Sequence, residues 1–316
     1  MKVKKTIRQE VLLLGVILLL CIVFSLLSSS FLAADNIIGI LRKSTELMML
    51  AFGMTGAIIA GGTDLSIGAL CSLNTVLIAF FNVTLGMPIF LALACTLIVS
   101  LLIGMVNGIL VGCLKIAPML ATLGMQAVLL GIGLVITSGS VISGFSEEYV
   151  QFGNGRAFGI IPNQLFLLIP VIIFMHLLYS RTRLGREIYL VGTNAEVAKF
   201  SNINCKLTLI KVYMLSGLMA FLAGIVLSSR LASGRPDIAT SYLMPSIGAS
   251  VVGGVSMRGG HGTIIGCMLG VILFMVISNG LLQFIPQNAT FYESVVTGVM
   301  ILGILSYRAI REKPRN

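Results

Sequence analysis

Residues that could carry catalysis or bind a cofactor are few in this chain and stand far apart. The histidines are His176 and His261 alone, and the six cysteines form no CxxC pair. No phosphate-binding GxxxxGK[ST] motif occurs, because lysine nowhere follows glycine. No Ser/His/Asp set or pair of carboxylates is spaced for catalysis. We therefore predict no catalytic residue, no metal and no cofactor, and we expect no ATP binding through a phosphate loop.

Neutral polar side chains stand inside the apolar segments instead. Four amides among them are candidates for a translocation path: Asn74, Asn107, Gln126 and Asn279. Amides and hydroxyls suit an uncharged, hydroxyl-rich solute, although such groups often only bond across helices. Pumps and ion-coupled carriers keep ionisable groups at membrane depth. Here the comparable groups fall near the predicted ends of apolar segments: Glu46, Asp64, His176 and Glu293. If the protein transports, we expect its driving energy to come from a partner.

One of these acids lies in a turn of small residues, hereafter the 61–68 turn. Its marked positions are Gly61, Gly62, Asp64, Ser66 and Gly68. Asp64 directly precedes an apolar segment, where a carboxylate can accept hydrogen bonds from the first free N–H groups of a helix. The pattern favours a helix N-cap over a catalytic acid.

A polar segment further along predicts a short helix outside the membrane. Thr193, Asn194, Ala195 and Glu196 fit a capping box, with a hydroxyl at the cap and a glutamate three residues later. Residues 197–200 complete the helix, and the asparagines at 202 and 204 suit its exit. A helix this short is marginal in water, which indicates that it docks on a partner. An ordinary solvated basic loop is the alternative.

The elements that must position these residues are membrane helices. The chain has 316 residues, of which 57% are hydrophobic and 10% charged, with a mean hydropathy of +1.05. A soluble domain could not cover its surface with so few charges, and the apolar runs are long enough to cross a bilayer. We predict one all-α, polytopic membrane domain over 1–316 with about ten spans. These are 11–33, 46–60, 65–83, 88–113, 118–138, 163–180, 209–229, 240–257, 262–284 and 290–307.

The placement of basic residues predicts the orientation. With the N-terminus inside, 16 of the 21 Lys and Arg residues face the cytoplasm, as the positive-inside rule requires. Segments 1–10, 181–208 and 308–316 are then inside, and the acidic segment 139–162 is outside. The net charge of +10 fits lipid headgroups at span ends and argues against a nucleic-acid partner. The run 11–27 is longer than a usual signal-peptide core, so a retained first span is favoured over a cleaved signal.

Several ordered strings resemble the ribose-type family of sugar permeases from ATP-binding-cassette (ABC) transporters. Residues 58–68 read IIAGGTDLSIG, similar to the GGxDLSxG signature of that family. Residues 182–194 read TRLGREIYLVGTN, similar to its TRxGRxIYxxGxN segment, and SNIN follows at 201–204 where the family has SGIN. The strings LMAFLAGI at 218–225, VGGVSMRGGHG at 252–262 and NGL at 279–281 match further blocks. The resemblance covers nearly the whole chain from about residue 35.

The resemblance implies a non-catalytic permease subunit in a bacterial inner membrane, and it also supports about ten spans. Its implied partners are cytoplasmic ABC ATPase subunits, a periplasmic sugar-binding protein and a second permease subunit, identical or not. Segment 139–162 is then a periplasmic loop, and segment 181–208 is the coupling loop that engages the ATPase. Residues expected in or beside that contact are Ala195, Glu196, Ala198 and Phe200, with Arg183 and Arg186 supporting the base of the loop.

Two positions depart from the family pattern, and the first of these departures leaves the solute open. The chain has SYLMP at 241–245 where the family often has GYELD, and Asn202 stands where glycine is usual. Ribose, another pentose or hexose, or an autoinducer-type solute remain admissible. A self-contained secondary carrier for a small neutral polar solute is the alternative of a different class.

Overall fold

The computed structural model describes residues 2–284 and the single residues 292, 295, 298, 299, 302, 303 and 306. Residues 2–284 form twelve α-helices and four two-residue strands. The helices are α1 Lys2–Leu27, α2 Ala34–Ile59, α3 Ile67–Ala79, α4 Ile89–Gly112, α5 Pro118–Thr137, α6 Glu147–Asn154, α7 Leu165–Arg181, α8 Arg183–Thr193, α9 Ala195–Phe200, α10 Cys205–Leu231, α11 Leu243–Val252 and α12 Ile264–Phe284. A π-helical turn, Phe80–Thr84, extends α3, and a 3-10 turn, Thr240–Tyr242, precedes α11.

The core is built around α2 and α10. Helix α2 contacts α10, α11 and α12, and 18 of its 26 residues are buried. Of the apolar segment formed by α3 and its π-helical turn, 72% is buried, whereas 8 of the 24 residues of α4 and 5 of the 20 residues of α5 are buried. In a membrane, an apolar helix face that the protein leaves uncovered suits lipid or another subunit. The central helices therefore hold the bundle together, and α4 and α5 border it.

Helix α4 packs on α10 through small residues spaced four apart. The buried positions include Ala92, Thr96, Ser100, Gly104 and Gly108, which form one stripe along the helix. A Cβ atom added at Gly108 would stand 2.5 Å from the Cα atom of Ile210. This close backbone approach is the usual basis of helix association in membranes, where there is little hydrophobic driving force between helices.

Six of the described helices are long and apolar enough to cross a membrane, or seven if α7 and α8, which are bent by 65°, form one span. The six match predicted spans one, three, four, five, seven and nine. Helix α2 begins at Ala34, twelve residues before the start of the predicted span 46–60. The predicted span 240–257 is not one continuous helix: a 3-10 turn leads into α11, which has ten residues, about 15 Å at 1.5 Å per residue. Most of the predicted span 290–307, and all of segment 308–316, lies outside the described residues.

Segment 139–162 is folded and not an open loop. Strand β1 (Ile142–Ser143) pairs antiparallel with β4 (Ser233–Gly234), which follows α10. Strand β2 (Arg156–Ala157) pairs with β3 (Ile161–Pro162) in a hairpin after α6. The Tyr149 hydroxyl, on α6, lies 2.7 Å from the Ser228 hydroxyl of α10. These contacts fix the segment across the end of α10.

Candidate functional site: the coupling loop and the 61–68 turn

Segment 181–208, the expected coupling loop, begins with a sharp change of direction between α7 and α8. The Thr182 hydroxyl caps α8 by accepting a hydrogen bond from the Gly185 N–H group at 3.1 Å, which stops the preceding helix and starts the next. Arg183 forms an ion pair with Glu187 one turn later, with 2.8 Å between Nε and Oε1. Arg186 donates to the Arg181 carbonyl oxygen at 3.4 Å. Both arginines thus make their contacts at the start of α8.

The short helix exists, but the predicted capping box is wrong. Helix α9 spans Ala195–Phe200 and its N-cap is Asn194, whose Oδ1 atom accepts from the N–H groups of Glu196 at 2.9 Å and Val197 at 3.2 Å. Thr193 is the last residue of α8, and its hydroxyl donates to the Tyr189 carbonyl oxygen at 2.7 Å. Because α8 continues through Thr193, the Thr193 hydroxyl forms its hydrogen bond within α8. Asn194, the next residue, therefore caps α9.

The exit from α9 explains one departure from the family pattern. Asn202 has a φ of +57°, a left-handed conformation that glycine adopts without strain and asparagine tolerates better than most residues. The Asn202 N–H group donates to the carbonyl oxygen of Lys199, and the Ile203 N–H group donates to the carbonyl oxygen of the buried Ala198. Asn204 then caps α10 through the N–H group of Leu207 at 3.1 Å. The predicted exit is confirmed for Asn202, whereas Asn204 is the N-cap of the next helix.

The two faces of α9 differ sharply in exposure. Ala198 is fully buried against its own chain, whereas the Phe200 side chain is 92% exposed and Val197 is 52% exposed. Ala195 and Glu196 are exposed beside them. A partner could therefore touch Phe200, Val197, Ala195 and Glu196, while Ala198 is inaccessible and supports the helix from beneath.

Asp64 is the centre of a buried hydrogen-bond network in the 61–68 turn. It is 1% exposed. Its Oδ1 atom accepts from the Ser66 N–H group at 3.0 Å and the Ser66 hydroxyl at 2.6 Å, and Oδ2 accepts from the Ser216 hydroxyl of α10 at 2.6 Å. Burial raises the pKa of this carboxyl, while the hydrogen bonds from Ser216 and Ser66 act to lower it. Helix α3 starts at Ile67 with Ser66 in the N-cap position, so the predicted cap role of Asp64 is wrong: the carboxylate bonds to the turn and to α10.

The turn reaches three further elements. Gly61 has a φ of +90°, which only glycine adopts readily and which reverses the chain after α2. Thr122 of α5 accepts from the Leu65 N–H group at 3.0 Å, and Asn107 of α4 donates to the Ser66 hydroxyl at 2.8 Å. Gly68 lies against the backbone of Ala239, since an added Cβ atom would stand 2.7 Å from that carbonyl oxygen. In addition to α10, the turn therefore contacts α4, α5 and the segment at Ala239.

The four amides proposed for a translocation path are not brought together. Asn74 and Asn107 are fully buried between α3, α4 and α10, where Asn74 donates to Ser100 at 3.1 Å. Asn279 exchanges two 2.9 Å amide hydrogen bonds with Asn36 of α2. Gln126 is partly buried on α5. Asn74 and Asn279 form hydrogen bonds between packed helices. Asn107 instead donates a hydrogen bond to Ser66 of the 61–68 turn.

A family model described as "branched-chain amino acid transport system / permease component" matches residues 36–305. The chain belongs to this permease family. The permease is 38% identical over 286 residues to the ribose import permease protein of Bacillus subtilis, covering 90% of this chain and 88% of that protein. It is 33% identical over 304 residues to the galactose/methyl galactoside import permease protein of Escherichia coli, covering 90% and 89%. Like its relatives, the permease is a multi-pass protein of the bacterial inner membrane. The family is described by amino acid transport, whereas these two relatives are named for the import of sugars.

The permease also holds a buried ion pair that sequence reasoning missed. Arg230, at the end of α10, donates to Glu46 of α2 through Nε at 2.5 Å and Nη2 at 3.0 Å, and the Tyr242 hydroxyl donates to the same carboxylate at 2.8 Å. Glu46 is 1% exposed and lies twelve residues inside α2, not at its end. Nearby, Arg42 donates to the Asn154 carbonyl oxygen at 2.5 Å. No local pattern could reveal the pair, because its members are 184 residues apart.

Proposed function

We propose that this chain is the membrane-spanning permease subunit of an ABC importer for a monosaccharide or a sugar-like solute. The observation that carries the proposal is the similarity, over about nine-tenths of the chain, to relatives named for the import of ribose, of galactose and of D-allose. These solutes share a neutral ring rich in hydroxyl groups. An autoinducer-type, sugar-like solute is a further alternative within this proposal.

We propose three partners for the permease. Cytoplasmic ABC ATPase subunits would bind the exposed face of α9, where Phe200 and Val197 offer apolar surface beside Glu196. A periplasmic sugar-binding protein would deliver the solute, and a second permease subunit, identical or not, would complete the membrane domain. The exposed apolar side chains on α4 and α5, such as Leu102, Leu123 and Val135, suit that second subunit or lipid.

We propose ten spans with both termini in the cytoplasm. What supports this topology is the agreement between predicted sides and observed contacts. Segments predicted inside meet one another: Gly260 donates to Ile59 at 2.8 Å, and the Tyr189 hydroxyl donates to Gly262. Segments predicted outside meet at the other end, as with Asp35 and Arg156, which form an ion pair at 2.8 Å. Spans that cross the membrane in alternating directions would bring the inside segments together at one end of the bundle and the outside segments together at the other.

Thiol labelling tests the topology. With Cys113, which is exposed, changed to serine, we expect Glu148→Cys to react with an impermeant maleimide added to intact cells. We expect Glu196→Cys to react only after the membrane is opened, since α9 would face the cytoplasm. Both positions are exposed, so access to the reagent is not limited by folding. Labelling of both from the same side would refute the proposed orientation.

Reconstitution tests the source of energy. We expect the purified chain in liposomes neither to hydrolyse ATP nor to accumulate labelled ribose, galactose or allose in a proton or sodium gradient. Uptake should appear when the ATPase subunit and binding protein are added and ATP is supplied on the ATPase side. The reason is that the chain lacks a phosphate loop and that Asp64 and Glu46 are held by hydrogen bonds to protein groups. Gradient-driven accumulation by the chain alone would favour the secondary carrier.

A further inference from the structure

Backbone atoms of three segments meet directly behind the coupling loop. Gly192 is the penultimate residue of α8, Ile59 is the last residue of α2, and Gly260 lies in the turn between α11 and α12. The Gly260 N–H group donates to the Ile59 carbonyl oxygen at 2.8 Å. A Cβ atom added at Gly192 would collide with that same oxygen and stand 2.8 Å from the Gly260 nitrogen. Glycine is required at position 192 because the backbone of α8 packs directly against the Ile59 carbonyl group at the end of α2.

The 61–68 turn joins the same meeting point through Gly61. A Cβ atom added at Gly259 would stand 2.6 Å from the Gly192 carbonyl oxygen and 3.0 Å from the Gly61 Cα atom. We call the four residues Gly61, Gly192, Gly259 and Gly260 the glycine junction. Its contacts are backbone against backbone, so no flexible side chain can absorb a displacement of one segment, and close-packed groups transmit it instead.

Two side chains of α8 fasten the helix to the same turn. The Tyr189 hydroxyl donates to the Gly262 carbonyl oxygen at 2.7 Å, and the Thr193 side chain packs on Gly260. On the other side of the junction, the turn continues from Gly61 to Asp64, which bonds to α10 through Ser216 at 2.6 Å. A continuous series of contacts therefore runs from α9 and α8 through the junction to the helices that Asp64 and Ser66 join.

We propose that the glycine junction transmits the movement of α8 and α9 to α2 and the 61–68 turn, so that its residues and Tyr189 are positioning residues for transport. The proposal depends on the proposed function, because the movement would originate in an ATPase bound at α9. The junction touches neither solute nor nucleotide. Its role is to keep ATP hydrolysis on one side of the membrane domain linked to rearrangement of the central helices.

The test measures uptake and ATP hydrolysis together in the complex of permease, ATPase and binding protein reconstituted in liposomes. The probe is a mixture of labelled D-ribose, D-galactose and D-allose. For Gly192→Ala we expect normal association with the ATPase and continued ATP hydrolysis, with uptake per ATP lowered about tenfold or more. For Tyr189→Phe, which removes one hydrogen bond, we expect a reduction of roughly three- to tenfold.

Gly39→Ala is the matched control, because an added Cβ atom in that part of α2 meets nothing within 4 Å. It should retain the uptake per ATP of the unaltered chain. A merely structural role would reduce uptake and hydrolysis in parallel and leave their ratio unchanged, which would overturn the proposal. If Gly192→Ala does not fold, Tyr189→Phe decides alone, and a ratio equal to that of the control overturns the proposal. Failure of the unaltered chain to bind an ATPase would instead overturn the proposed function.

Discussion

Replacing Phe200 with aspartate is expected to detach the ATPase from the permease and to abolish ATP-driven uptake. The Phe200 ring is 92% exposed on a six-residue helix, and a ring of this size contributes about 1.5–3 kcal/mol when it is buried. Aspartate would lose that contribution and bring a charge into the contact. We expect association to weaken roughly 10- to 100-fold or more. Co-purification and a titration of ATPase against permease in detergent would measure it.

Phe158→Asp is the matched control, because the Phe158 side chain is 91% exposed and lies in segment 139–162, which the proposed topology places on the side opposite to the ATPase. It should insert normally and bind the ATPase as the unaltered chain does. If Phe200→Asp also inserts, binds and transports normally, α9 is not the docking helix. Ala198→Arg would not test the contact directly, since Ala198 is fully buried and a large charged side chain there would displace α9 itself.

Replacing Glu46 with alanine is expected to lower the free energy of unfolding by about 3–5 kcal/mol. The change leaves Arg230 without its counter-ion in a site where its side chain is 20% exposed. It also removes the acceptor of the Tyr242 hydroxyl. An uncompensated buried charge is costly, because water no longer solvates it and no protein group replaces the carboxylate. Thermal unfolding in detergent, followed by loss of helical signal or by aggregation, would measure the change.

Asp35→Ala is the control for this substitution. Its carboxylate also pairs with an arginine, Arg156, but is 82% exposed, so its loss should cost at most about 1 kcal/mol. The double variant Glu46→Leu with Arg230→Met should recover part of the lost stability, because it removes both buried charges together. Equal stability of Glu46→Ala and Asp35→Ala would show that the buried pair adds nothing.

The sequence by itself determined the features that depend on neighbouring residues. Long apolar runs placed the helices that match α1, α3, α4, α5, α10 and α12, because a bilayer requires a minimum length of apolar helix. The family resemblance follows from ordered strings that need no structure to read. The short helix α9 and its asparagine exit were also predictable, since caps and exits are set by residues within one helical turn.

Only the tertiary structure decided which polar groups meet. Glu46 pairs with Arg230 across 184 residues, and Asp64 bonds to Ser216 across 152, so no spacing rule could join them. Asn74 and Asn107 suggested a solute path from their chemistry, but the packing of α3, α4 and α10 buries both completely. Asn194, and not Thr193, caps α9 because α8 extends through Thr193. Backbone contacts such as that of Gly192 with Ile59 could not be predicted either. The sequence does not distinguish a glycine in a turn from a glycine in a helix interface.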